Sequence, residues 1–268
     1  NTPATADVDQ FMEGLQGNSR IGANVKVSDE LTGRFEYGTA VNLRILYGEW
    51  DFGGGKFLVG QTYSPLNLFY SNQVFGGDTD LLAYGGVYGG RNPMLRLTFG
   101  NFKIAALPPA GAAIGGGTVE YSIPRFEASY SLNVGAFGLQ FVGGYNSYEE
   151  TVGAAVHDID SYVIAAGASF GFGMAYINAN VYAGQNSGQM LWTDSGAAAG
   201  ASADGNPVIV AGTQLLDNDV MGYLVVVGAK LNDMFSVAFG YAKLSTELDA
   251  PLGGLAVEDD AASYYAHA

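Results

Sequence analysis

Hydrophobic and polar residues alternate along most of the chain with a period of two residues. In the stretch RIGANVKV, Ile21, Ala23, Val25 and Val27 fall on one face and mainly polar or small residues on the other. The alternation recurs in LTGRFEY, VNLRILY and KFLVGQTY, and then in pairs of stretches as far as ASYYAHA. Because this period is typical of half-apolar β-strands, the pattern predicts about thirteen strands, each near the 9–11 residues that cross a membrane when tilted.

The predicted strands are joined by turns and links of alternating length. Short turns such as SDE, FGGG, NVGAFG and NDM alternate with longer links, expected at 65–92, 110–118, 151–160, 187–218 and 248–260. One tight end and one loop-rich end are typical of outer-membrane barrels. A soluble β-sandwich would also alternate, but with many charged residues on its outward face. We therefore predict an all-β fold, an antiparallel transmembrane β-barrel, in which 1–268 is a single domain.

Composition excludes several classes of function. The formal net charge of −15 argues against nucleic acid as a partner, which requires a basic surface. The chain has no cysteine and only two histidines, His157 and His267, so a disulfide, a thiolate metal site or a histidine-based catalytic triad is not expected. Apolar runs such as YLVVV are too short for a membrane helix. We therefore expect no enzyme activity.

Acidic clusters in the predicted links are the candidate metal ligands. Asp217 with Asp219, and the run 258–260, offer the oxygen ligands that Ca²⁺ prefers. Solvated loop charge is the favoured interpretation of both clusters, and no other cofactor is expected.

Positive charge is concentrated near the start of the chain, mostly on the polar face of the first strands. On a barrel these residues would form a positive sector of the inner wall. They would either pair with acids as ordinary polar-face charges or form the basic half of a pore constriction that faces an acidic element. The residues are Arg20, Lys26, Arg34, Arg44, Lys56, Arg91, Arg96 and Lys103.

The link 65–92 is a long stretch without strand or helix periodicity between two predicted strands. Structureless inserts of this length are uncommon inside a compact domain and are often functional. Gly76 and Gly77 permit a tight turn. Asp78 can accept backbone N–H groups there, and Asp80 lies close by. We expect this link to fold into the lumen as a constriction loop.

Several stretches resemble the general diffusion porins of Gram-negative outer membranes. They are SRIGANVKVSDELTGRFEYG and LRILYGEWDFGGGKFLVGQTYSP, followed by FGGDT and a later GGR; beyond residues 19–91 the resemblance rests on pattern alone. The resemblance implies a barrel of about 16 strands, usually trimeric, whose third loop narrows the pore. It implies a water-filled channel for passive diffusion of small hydrophilic solutes and ions. It also implies export to the outer membrane with removal of a signal peptide, and contact with membrane lipid and lipopolysaccharide.

The resemblance also assigns roles to residues of the constriction. Arg20 and Arg91 match basic residues of the family's constriction wall, and Arg44 lies on the neighbouring strand. Gln61 stands where a further arginine is common. The loop set is Tyr70, Val74, Gly76, Gly77, Asp78 and Asp80: the first two stand where the family has acids, Asp78 matches the aspartate of the loop signature, and Asp80 is the candidate replacement acid.

Two further expectations concern the extent and role of the chain. Matching RIGANVKV to the second family strand leaves a first strand and two last strands unassigned, so we expect a longer protein. The alternative function is a non-conducting β-barrel or a soluble β-sandwich that acts as an adhesin, a structural protein or a partner-binding protein.

Overall fold

The structure is a computed structural model that describes residues 19–39, 42–71, 81–193, 204–249 and 258–268. Its strands are β1 (Arg20–Lys26), β2 (Leu31–Gly38), β3 (Leu43–Asp51), β4 (Lys56–Tyr63), β5 (Asn67–Leu68), β6 (Val87–Tyr88), β7 (Arg91–Phe99), β8 (Phe102–Leu107), β9 (Thr118–Glu120), β10 (Arg125–Val134), β11 (Phe137–Val152), β12 (Ala155–Phe172), β13 (Ala175–Gln185), β14 (Val208–Val210), β15 (Gln214–Leu216), β16 (Asn218–Lys230), β17 (Ser236–Leu248) and β18 (Glu258–His267). Two short 3-10 helices span Leu82–Tyr84 and Ser187–Gln189. Across the described ranges, no helix has the length and apolar character needed to cross a membrane.

One large antiparallel sheet organises the chain. Thirteen strands follow one another in the order β1-β2-β3-β4-β7-β8-β10-β11-β12-β13-β16-β17-β18, and β9 pairs with β11. The small pairs β5–β6 and β14–β15 lie in the connections. Within the described ranges, β1 and β18 each pair with one neighbour only. The arrangement confirms the predicted all-β antiparallel sheet and the expected number of strands.

Tight turns and long connections lie at opposite ends of the sheet, as predicted, but one expected long link is wrong. Residues 151–160 do not form a loop, because β11 continues to Val152 and β12 begins at Ala155. Gly153, with φ of 62°, makes the turn between them. The acids of this stretch made it resemble a loop, yet Asp158 and Asp160 are exposed residues of β12 that alternate with buried ones.

The two faces of the sheet have opposite character. One face is exposed and apolar, and it carries aromatic and aliphatic side chains on nearly every strand. The other face holds buried polar residues, among them Glu127, Asn146, Ser161 and Asn180. A soluble protein would reverse this arrangement, whereas strands that face lipid show it. Representative exposed residues are Phe35, Leu46, Val59, Leu95, Phe126, Phe141, Ile164, Val181, Met221 and Phe239.

Tyrosines on the inner face lie against glycines of the neighbouring strand. Tyr182 of β13 is directly opposite Gly222 of β16, and Tyr265 of β18 is opposite Gly240 of β17. A Cβ atom added to Gly222 would lie 2.2 Å from the Tyr182 ring. Each ring therefore rests along the sheet rather than projecting from it, an arrangement that covers a strand glycine with an aromatic ring. Because these rings do not project into the barrel, chain connections can pack against the inner wall.

This packing predicts the effect of adding one methyl group to the wall. Gly222→Ala should lower the free energy of unfolding by about 1–3 kcal/mol, because Tyr182 must leave its position. Gly171→Ala is the matched control, since a Cβ atom there has no neighbour within 4 Å. Urea unfolding in detergent micelles measures both variants, and equal stability of the two would contradict this account of the glycine.

Candidate pore constriction

The link between β4 and β7 leaves the sheet through a hydrogen-bonded neck. The Ser64 amide donates to the Gly90 carbonyl at 3.1 Å, and the Gly89 amide donates to the Leu66 carbonyl at 2.7 Å. Asn67, only 6% exposed, donates from Nδ2 to the Ser64 and Gly90 carbonyls at 2.8 and 3.2 Å. Its Oδ1 accepts the Gly90 amide at 3.2 Å. One buried side chain thus fixes the point at which the link turns away from the wall.

From this neck, the link crosses the inner side of the barrel and reaches the strands β12 and β13. The Asn178 and Asn180 amides on β13 donate to the carbonyls of Tyr70 and Gly85, at 3.0 and 2.8 Å. The Tyr70 ring lies over Gly167 of β12, where an added Cβ would be 2.1 Å away. Burial raises the pKa of the Tyr70 hydroxyl. Residues 64–71 and 81–90, the inward segment, therefore lie against the inner face of strands far from β4.

Apolar side chains fill the space between the inward segment and this wall. Burying each such side chain stabilises the arrangement by roughly 1.5–3 kcal/mol. The side of the lumen next to β10–β18 is occupied, while inner-face cations on β1 and β2 stay about two-fifths exposed. One cluster contains Leu66, Leu68 and Val87 with Val142, Val163, Tyr182, Met190, Leu191 and Leu244, and a second contains Leu81 with Leu224, Val226, Ala242 and Tyr265.

A buried carboxylate anchors the start of the inward segment. Glu127 of β10 is 1% exposed, and its Oε2 accepts the Leu66 amide at 3.0 Å. Its Oε1 lies 3.2 Å from Arg125 Nε, close enough for an ion pair although the two atoms are not aligned for a hydrogen bond. Removing one member of a buried pair leaves the other charge without compensation. Glu127 therefore both compensates the charge of Arg125 in the wall and fixes the backbone of the inward segment at Leu66.

Three arginines of the first strands converge on one carboxylate. Glu36 of β2, 5% exposed, lies 3.5 Å from Arg20, 2.7 Å from Arg34 and 3.1 Å from Arg44. Arg44 is the extra residue of a β-bulge, because Glu36 pairs with Ile45 and the next residue of β2 pairs with Leu43. Three guanidinium groups and one carboxylate leave the cluster with a net charge of +2. The structure thus brings the predicted site residues Arg20 and Arg44 together beside one carboxylate.

Gln61 supports the backbone of this cluster. Its Nε2 donates to the carbonyls of Leu43 and Arg44 at 2.7 and 3.3 Å. In the register of β3 and β4, Gln61 is opposite Leu46, which is exposed on the apolar face. Cross-strand partners share a face of the sheet, so this register places Gln61 beside the bulge rather than among the arginine side chains.

Arg91 lies at the foot of the inward segment, apart from the cluster at Glu36. Its Nη1 donates to the Tyr63 hydroxyl at 2.9 Å, and its guanidinium group lies 5.1 Å from the centre of the Tyr63 ring. Burial raises the pKa of the Tyr88 hydroxyl on the segment, and the positive charges of Arg91 and Arg44 partly offset that effect. Both arginines therefore act electrostatically on the same loop residue.

Several predicted site residues cannot be placed. Val74, Gly76, Gly77, Asp78 and Asp80 lie outside the described residues, so their part in the constriction stays a prediction. For the acidic clusters, no group of three or more acidic or histidine side chains within the described ranges is arranged to hold a metal ion.

Sequence reasoning missed the residues that hold the site together. The stretch RFEASYSL carries Arg125 and Glu127 two positions apart on one face of a strand that is otherwise low in charge, and that spacing was a usable signal for a buried pair. The sharing of Glu36 by three arginines depends on a bulge between separate strands. Trp192 lies with its ring centre 6.1 Å from that of Tyr88, and no local pattern indicates this contact because the two residues are far apart in the chain.

The anchor predicts a large effect of a small change. Glu127→Gln should lower the free energy of unfolding by about 3–5 kcal/mol, because Arg125 stays buried without a counter-charge. Asp233→Asn is the control, since it breaks an exposed pair with Lys230 and should cost no more than about 1 kcal/mol. Urea unfolding in detergent compares the two variants, and a small loss for Glu127→Gln would show that the pair does not anchor the segment.

Comparisons with known proteins agree on the fold. No protein-family model matches the chain, and no curated protein matches its sequence. The structure is similar to the outer membrane channel DcaP of Acinetobacter baumannii, with a TM-score of 0.64 and 16% identity over 87% of this chain and 67% of that one. It is also similar to the loop L8 deletion mutant of OmpT, an outer membrane protein of Vibrio cholerae, with a TM-score of 0.59 and 19% identity over 93% and 79% of the two chains.

A trimer form of OmpT folded in vitro matches as well, with a TM-score of 0.57 and 18% identity over 93% of this chain and 74% of that one. At these identities the likeness concerns the fold, and it agrees with the apolar outer face and the antiparallel order of the strands. The chain has the porin-like transmembrane β-barrel fold of outer-membrane channels.

Proposed function

We propose that this protein forms a water-filled channel in the outer membrane of a Gram-negative bacterium, through which small hydrophilic solutes and ions diffuse passively. The observation that carries the proposal is the inward segment, which is clamped at its neck and packed on the wall opposite the arginine cluster at Glu36. Such a segment narrows a lumen when part of the cross-section stays free. Selection by pore width and wall charge requires no chemical step, so we propose no enzyme activity.

In this proposal, solutes pass between the inward segment and the wall formed by β1–β4, β7 and β8. Residues 65–92 act as the constriction loop, and Asp78 and Asp80 are its proposed acidic side. The opposing wall carries surplus positive charge, because three arginines share Glu36 and because Lys56 and Arg96 share Glu49. Charges on distant loops are screened beyond about 8–10 Å. We therefore propose a preference for anions despite the net charge of −15.

The proposal extends to the surroundings of the barrel. The exposed apolar face supports contact with membrane lipid and, in the outer leaflet, with lipopolysaccharide. We propose a homotrimer, for which the support is the fold shared with a protein that has a trimer form. Electrophoresis of unheated and heated samples tests this, since a stable trimer migrates as a band that heating converts to the monomer.

A non-conducting barrel is the second candidate, and one observation favours it. The side of the lumen next to β10–β18 is filled by a buried apolar core rather than by water. If that filling extended across the lumen, the barrel would serve as a structural or partner-binding protein. Conductance of the purified protein in a planar bilayer decides between the two, because a plugged barrel gives no steps.

Charge selectivity gives the sharper test. The double variant Arg20→Gln/Arg34→Gln changes the cluster from +2 to neutral and leaves the buried Arg44–Glu36 pair in place. We expect the ratio of anion to cation permeability to fall roughly twofold or more. The reversal potential under a salt gradient measures this ratio. Lys230→Gln, at the end of β16, is the control and should change nothing. An unchanged ratio in the double variant would contradict the role of the arginine cluster.

A further inference from the structure

Four aromatic rings meet where the inward segment approaches the basic wall. The ring centre of Tyr63 lies 5.1 Å from that of Phe69 and 6.3 Å from that of Tyr88. The ring centre of Tyr88 lies 6.1 Å from that of Phe69 and 6.1 Å from that of Trp192. All four contacts are edge-to-face. The Trp192 amide also donates to the Tyr88 carbonyl at 3.0 Å. The rings come from β4, from the inward segment and from the connection after β13, and we call them the aromatic cluster.

Two rings of the aromatic cluster are exposed inside the barrel. Phe69 is 52% exposed and Trp192 is 42% exposed, while their chain neighbours Leu68 and Leu191 are buried in the core against the inner wall. The two rings therefore point away from that wall. Exposing a large apolar side chain to water costs roughly 1.5–3 kcal/mol. Both rings contact Tyr88, with ring centres 6.1 Å away in each case, and exposed rings on a surface that is held by hydrogen bonds are typical of a binding surface.

Two cations beside the aromatic cluster form no ion pair with a carboxylate among the described residues. Nine of the eleven lysines and arginines form ion pairs with acids there, and Arg91 and Lys103 do not. Arg91 lies over the Tyr63 ring. Lys103 lines a pocket of about 320 Å³ with Tyr63 and Phe69, whose remaining wall includes the polar side chains of Ser129 and Gln140. Lys103 and the exposed ring of Phe69 thus line the same cavity.

We propose that this pocket is a binding subsite for aromatic carboxylates that pass through the channel. The solute's ring packs against Phe69, and its carboxylate pairs with Lys103. Both parts of the solute are needed, because a ring alone leaves Lys103 unpaired and a carboxylate alone leaves Phe69 in water. Trp192 can report binding, because its ring contacts Tyr88, which in turn contacts Phe69. The inference rests on the proposed function, to which it adds a class of solute.

Tryptophan fluorescence tests the subsite without relying on conductance. The chain has two tryptophans, and Trp50 lies exposed on β3 opposite Phe57. In a Trp50→Phe background, Trp192 is the sole reporter. Titration with 4-nitrobenzoate, a quenching aromatic carboxylate, should give saturable quenching in the detergent-purified protein. The uncharged 4-nitrobenzyl alcohol should reach half-saturation only at a roughly five- to tenfold higher concentration, and acetate should not compete.

Two variants probe the two halves of the subsite. In the same background, Phe69→Ala and Lys103→Gln should each raise the half-saturating concentration of 4-nitrobenzoate by roughly five- to tenfold. Lys230→Gln removes a lysine far from the pocket and should leave it unchanged. Equal quenching by the acid and the alcohol, or equal values for the variants and the control, would overturn the inference. Heat-modifiable migration confirms that each variant is folded before titration.

Conductance recorded on the same sample separates the two proposals. A conducting channel without saturable quenching would overturn the subsite and leave the channel. Saturable, charge-dependent quenching in a barrel that gives no conductance would support the subsite and overturn passive transport.

Discussion

A strand in lipid must bond its backbone to neighbouring strands and can expose few polar side chains to the hydrocarbon. In this chain, that constraint places polar side chains on the inner face of β10–β16, where water is largely excluded. A buried polar side chain without a partner costs free energy, so the inner wall needs partners. It finds them in the backbone of its own connections. Glu150 shows this plainly, since its carboxylate accepts the amides of Ile114, Gly115 and Gly117 at 2.8–2.9 Å.

The same solution recurs around the wall. Asn146 both donates to and accepts from the backbone of Ala110, at 2.9 and 2.8 Å. Asn180 holds Gly85, and Asn186 donates to the Asp160 carbonyl at 2.7 Å while accepting the Asn218 amide. Asn146 and Asn180 thus satisfy main-chain groups of connections, whereas Asn186, just after β13, satisfies main-chain groups of the strands β12 and β16. Inward folding of the long connections is therefore a consequence of the wall's own polar groups, and the narrowing of the lumen follows from it.

The sequence made the strands predictable and left the interior unpredictable, for a physical reason. A period of two residues reports which side chains share a face, and it holds within a single strand. It misled where acids belong to a strand, as at Asp158 and Asp160 of β12 and at residues 258–260, which were expected in a link and instead begin β18. Arg20 and Arg91 could be assigned by resemblance. The bulge that turns Arg44 toward Glu36 and the contact of Trp192 with Tyr88 both depend on segments that are distant in the chain. No local period reports such contacts.

The basic wall shows why net charge alone is a poor guide to the proposed pore. Two interpretations of the early lysines and arginines were open, ordinary pairing with acids or a positive constriction. Different residues fit each one. Arg44 is buried against Glu36 and serves the packing of β2 and β3, whereas Arg20 and Arg34 share that carboxylate with it while more than two-fifths of each side chain stays exposed. One carboxylate cannot neutralise three guanidinium groups, so the cluster keeps an excess of positive charge. The field of that excess charge is weakly screened inside a narrow lumen. The local excess of cations at Glu36, rather than the net charge of the chain, therefore sets the potential at this wall.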